Sequence, residues 1–118
     1  MKEYYYYIRD NDNHPRVTVC LIEDSKGGFH RGISLCSFDE KEIDKEYGRR
    51  KARSRALHAL HTKEDSMPIA SHRAVDIILR TSRSLLAEFL SVDSSFGSGG
   101  FKSLHLVTLT DFERKIIG

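Results

Sequence analysis

Long apolar runs are missing from this chain. No stretch approaches the roughly 20 apolar residues that a membrane span needs. The opening residues, MKEYYYYIRD, lack the apolar segment of a signal peptide. The expectation is a cytoplasmic protein with no membrane partner. Cysteine is scarce as well: there are two, Cys20 and Cys36, and no CxxC, which argues against a zinc ribbon or a thioredoxin-type site. A hairpin of residues 16–22 and 29–36 about Lys26, Gly27 and Gly28 would set Cys20 opposite Arg31 or Gly32. Cys36 would then lie too far along its strand for a disulfide, so two reduced, packed thiols are expected. A strong net charge is also missing. Nineteen Lys and Arg against 17 Asp and Glu leave +2, so any basic function must come from local clustering. No HExxH, paired-carboxylate arrangement or nucleophile motif is present, and the expectation is a binding protein without cofactor or metal rather than an enzyme.

What is present fits one domain over residues 1–118, long enough to bury a single core. Tyr4 to Arg9 is aromatic and β-prone. Asn11 to Pro15 reads as a turn. Arg16 to Ile22 and Phe29 to Cys36 alternate as strands, with Gly32 a candidate bulge. Ser37 and Glu40 have capping-box spacing and open a helical stretch that runs to Thr62. Lys63 to Pro68 reads as a connection. Ser71 to Leu90 carries the best amphipathic helix, with Ile78 near the centre of its apolar face. Ser94 to Gly100 is a loop, Ser103 to Leu109 a strand, and Thr110 with Glu113 caps a last short helix. The order β-β-β-α-α-β-α predicts an α+β fold: an antiparallel sheet of about four strands with two main helices packed on one face.

The stretch from Ser37 to Thr62 reverses its charge halfway. Asp39 to Glu46 holds five acids and two lysines, whereas Arg49 to Thr62 holds four arginines, one lysine, two histidines and no acid. Ile43 and Tyr47 face a different way from Ala52, Ala56, Ala59 and Leu60, so a kink or break is expected near Gly48. A helix restarting there would place free amides and its positive dipole at Arg49.

Arg49, Arg50, Lys51, Arg53, Arg55 and His58 are the candidate ligand-binding residues. Clustered guanidiniums hold phosphate or carboxylate in fork geometry. Arg49 and Arg53, helped by Arg55, are expected to converge on one anionic group. The competing reading pairs them with Asp39, Glu40, Asp44 or Glu46, or lets them reach water along their stems. Arg73, Arg80 and Arg83 read as a solvated face beside Asp76. The glycine-rich loop lacks the P-loop pattern and precedes a strand, so it reads as plain loop. His58 and His61 have helical spacing but no third metal ligand placed by sequence. Tyr4 to Tyr7 offer ring faces to bases, although strand alternation lets only two share a side.

Two patterns carry a resemblance: VTVCL at Val17–Leu21 with RGISLCS at Arg31–Ser37, and the spacing of Gly48, Arg49, Ala52, Arg55, Ala56 and Ala59. Together they resemble a group of small bacteriophage- and prophage-encoded proteins, over roughly residues 15–60. The resemblance implies an accessory protein of the host cytoplasm, of anti-defence type. It carries no site residues. Two partners follow as expectations. One is a phosphate ligand, nucleotide signal or nucleic acid, met by the basic helix. The other is a host defence protein blocked through a shaped surface, as an inhibitor would do. A homo-oligomer stays open.

Overall fold

The computed structural model describes residues 1–36, 44–70 and 101–118. Its elements are β1 (Lys2–Arg9), β2 (Pro15–Glu23), β3 (Phe29–Leu35), α1 (Lys45–Thr62), β4 (Ser66–Pro68), β5 (Phe101–Leu104) and α2 (Asp111–Ile117). The fold is α+β, with a five-stranded antiparallel sheet in the order β1-β2-β3-β5-β4. Strand β4 is one more than the pattern foretold, because its three residues are too short to show alternation. The last strand is shorter than expected. It ends at Leu104, where Leu106 takes a left-handed φ of 50° and the His105 amide turns to the Asp65 carboxylate. The Ser71–Leu90 helix, Ile78 and the Ser94–Gly100 loop lie outside the described residues, as does the Ser37/Glu40 cap. No helix among the described residues is long and apolar enough to cross a membrane.

Period-2 alternation sorts the strands onto two faces. Tyr6, Ile8, Val17, Val19, Leu21, Ile33, Ile69 and Leu104 form one core, against which Phe112 and Ile117 of α2 pack. The other face carries Cys20 and Ile22 and is covered by Ala52 and Ala56 of α1. The register pairs Tyr5 with Cys20 and Cys20 with Gly32, so these three residues cross the sheet in one row. Neither cysteine is in a disulfide, Cys20 being buried and Cys36 half-buried.

Gly32 is not a bulge, because its pairing with Cys20 is regular. It is a close-approach site: a Cβ there would run into the Ala52 carbonyl and the Ala56 amide of α1. Helix backbone therefore rests on strand backbone, and only a side made of Gly48, Ala52, Ala56 and Ala59 lets it come so near. Gly48 belongs to that side and does not break the helix. Asp44 caps α1 by accepting from the Tyr47 amide at 3.1 Å, and the helix then runs unbroken to Lys63, which closes it in the left-handed conformation. The expected kink is thus corrected. Tyr47 is 49% exposed, so it does not compete with the alanines for the core, and Ile43 lies outside the described residues.

Candidate functional site

With the small-residue side of α1 pressed on the sheet, helical geometry at about 100° per residue decides where each cation goes. Arg49 and Arg53 fall on the β1 side, Lys51 and Arg55 on the opposite side, and Arg50 points outward. Arg49, Arg50, Arg53 and His58 are exposed, and Lys51 and Arg55 are half-buried. The sequence-based cluster is therefore two separate sets, divided by the buried stripe.

On the β1 side, Tyr5, Glu46, Arg49, Arg50 and Arg53 line an open groove. The Arg49 guanidinium lies 5.8 Å from the centre of the Tyr5 ring. Arg53 donates from Nε to Glu3 Oε1 at 2.8 Å, and the Tyr5 hydroxyl donates to the same oxygen at 2.9 Å. Arg53 holds the Glu3 carboxyl below its ordinary value, with help from the Tyr5 hydroxyl. Burial pushes the Tyr5 hydroxyl well up, as do Cys20 beneath it and Glu3 beside it, so the ring stays a neutral face. Two expectations need correcting. The helix starts at Lys45, so Arg49 sits a full turn inside it and no free amides or dipole end gather there. The acid that pairs with Arg53 is Glu3 of β1 rather than an acid of the helix, because β1 runs directly beneath this flank. Among the described acids of the competing reading, Asp44 is the N-cap and Glu46 lines the groove.

Arg55 does not converge with Arg49 and Arg53. It points across the stripe and donates to the Ile33 carbonyl at 2.6 Å, where β3 runs on past its pairing with β5. Lys51 lies on the same flank, 4.5 Å from the centre of the Tyr47 ring. It lines a second cleft with Arg16, Thr18, Ser34, Cys36 and Gly48. In that cleft Arg16 is held by Asp10 at 2.9 Å and approaches the Cys36 sulfur at 3.8 Å. The same Asp10 accepts from the amides of Asp12 and His14, both at 2.9 Å. Asp10, Asp12 and His14 stand close enough to share an ion, but the oxygens of Asp10 already hold the β1–β2 turn.

Sequence reasoning missed a second cluster. His30 is fully buried, and its Nε2 lies 2.8 Å from Asp24 Oδ2. Its Nδ1 lies 3.0 Å from Nδ1 of His105, and the two rings stack with centroids 4.8 Å apart. With both rings neutral and His30 donating from Nε2 to the carboxylate, His105 donates from Nδ1 and keeps a lone pair on Nε2. Asp24 in turn accepts from the Lys26 and Gly28 amides, which closes the β2–β3 turn. The only sequence signal for this cluster was an Asp four residues ahead of a Gly. Its partner His105 is 75 positions from His30.

No family model, no curated protein and no solved structure matches this chain, so the reading of the site rests on its own geometry.

Proposed function

We propose that the protein is a binding module rather than an enzyme, and that the groove on the β1 side of α1 takes a phosphate-bearing ligand, either a nucleotide or nucleic acid. One observation carries this reading. Arg49, Arg50 and Arg53 are gathered around a single groove, and among the described residues neither Arg49 nor Arg50 has an ion-pair partner. Three guanidiniums against two carboxylates, Glu3 paired with Arg53 and Glu46 on the groove wall, leave a local excess of positive charge, although the chain as a whole carries only +2. The Arg53–Glu3 pair is exposed enough that an incoming phosphate can take over the guanidinium at small cost. In the setting that the phage resemblance implies, such a module acts by sequestering or occupying its ligand.

The test is the double variant Arg49→Ala/Arg53→Ala, compared with the parent in a thermal-shift screen of nucleotides, cyclic nucleotides and short oligonucleotides at two salt concentrations. A ligand that binds the folded protein raises its Tm by linkage. The reading expects a salt-sensitive rise in the parent that disappears in the variant, while the variant's own Tm stays within a few degrees. No rise with any phosphate compound, together with capture of an acidic host protein, would replace this reading with that of an inhibitor acting through the same arginines.

A further inference from the structure

We infer that the ligand of this groove is single-stranded nucleic acid, laid along the seam between β1 and α1. This rests on the phosphate reading above and narrows it. Tyr5 and Tyr7 stand two residues apart on the helix-facing side of β1, both half-buried. Over each ring lies a cation from α1: Arg49 at 5.8 Å from the Tyr5 centroid and Lys45 at 5.3 Å from that of Tyr7. Arg9 adds a second cation to Tyr7 at 5.7 Å.

The two rows keep step. Two residues along a strand advance about 6.6 Å, and four residues along a helix advance about 6 Å. Strand and helix together thus repeat one unit, an aromatic ring beside a cation. That is the combination by which proteins hold single strands without reading sequence, with bases stacked on rings and phosphates held by charge. Lys45 and Arg49 are exposed, so each contact of cation with ring is weak, and a base can displace the cation from the ring face and leave it to meet the adjoining phosphate. Arg50 and Arg53 carry the charge on beyond Tyr5.

A lone nucleotide fills one unit, whereas a chain fills both, which favours the polymer. A duplex keeps its bases stacked on one another and offers neither ring a face, so it meets only the charges. Glu46 opens into the groove and opposes any phosphate there. Glu3 opposes it less, since Arg53 and Tyr5 already hold its carboxylate.

The test is fluorescence anisotropy with a labelled short thymidine oligonucleotide, its duplex form and thymidine diphosphate as competitor. The single strand should bind more tightly than the duplex, with log K falling by about 0.7 per phosphate neutralised against log salt. Tyr7→Ala and Lys45→Ala lie outside the groove that defines the phosphate site. Each should weaken the oligonucleotide about tenfold and leave thymidine diphosphate unchanged. Lys45 is exposed, so its variant reports on binding even where Tyr7→Ala fails to fold. Glu46→Gln should tighten the single strand. Equal or tighter binding of the duplex, or full oligonucleotide affinity in Lys45→Ala, overturns this inference while the phosphate reading stands. No binding of any of the three probes overturns both.

Discussion

Arg31 of β3 and Glu113 of α2, 82 positions apart, meet as a buried ion pair on the sheet face opposite α1. Arg31 donates from Nε at 3.0 Å and from Nη2 at 2.5 Å, engaging both carboxylate oxygens. The Tyr6 hydroxyl and the Thr110 amide also donate to that carboxylate, at 2.7 and 3.0 Å. One side chain therefore ties β1, β3 and the C-terminal helix together, and the surrounding apolar core raises the cost of leaving any of these groups unpaired.

Removing one partner should be severe. Arg31→Met leaves the Glu113 carboxylate buried without its counter-charge and should cost about 3–5 kcal/mol by urea denaturation. The double replacement Arg31→Met/Glu113→Leu should recover only part of that loss, because Tyr6 and Thr110 lose their acceptor as well. A single-variant cost below about 1 kcal/mol would show that the pair is not desolvated as described.

The two glycines under α1 should respond in opposite ways. At Gly32 the added Cβ meets helix backbone, which cannot rotate away. Gly32→Ala should cost at least about 1–3 kcal/mol by overpacking. At Gly48 the nearest atom is Thr18 Oγ1 at 2.8 Å, the end of a side chain that can turn. Alanine also gains up to about 1 kcal/mol of helix propensity there, so Gly48→Ala should be close to neutral. Thermal denaturation of both variants checks the contrast, and a break at Gly48 would instead make its replacement costly.

Thiol chemistry should separate the cysteines. Burial pushes the Cys20 thiol up to about 12, and it has no exposed surface. Cys36 is half-buried at the edge of a cleft, next to Arg16. In the native protein a disulfide reagent should titrate one thiol per chain quickly, and Cys36→Ser should abolish that phase. Cys20 should react only in denaturant. Two fast thiols in the native state would contradict the packing of α1 on Cys20.

Acid should loosen the β2–β3 turn over a narrow range. The hydrogen bond from His30, then the Gly28 and Lys26 amides, hold the Asp24 carboxyl down at about 2, against an ordinary 3.8. The folded value lies below the unfolded one. The contribution of Asp24 is therefore complete above pH 3.8 and is lost as pH falls from there toward 2. Asp24→Asn should flatten that part of the stability profile measured by denaturation at successive pH values. An unchanged profile would mean that the contact with His30 does not persist in solution.

Local chemistry was legible from the residues alone. The alternation of Val17, Val19 and Leu21 against Thr18, Cys20 and Ile22 foretold β2 and its two faces, and the hairpin count set Cys20 opposite Arg31 or Gly32, of which the register takes Gly32. The spacing of Thr110 and Glu113 foretold the last helix, whose capping box is present. These features depend on neighbours a few residues away, and the chain carries them wherever it goes. Which cations share a surface was not legible. A helical wheel gives directions, but only the contact of Gly32 with the backbone of α1 says which direction is down, and that contact sends Arg55 away from Arg49 and Arg53. The same holds for Glu113, which reads as a capping residue and also neutralises an arginine 82 positions away. It holds equally for His30, whose partner His105 is brought to it only because β5 lies beside β3. Residue type fixes what each group can bond with, and sheet order decides which of those bonds can form.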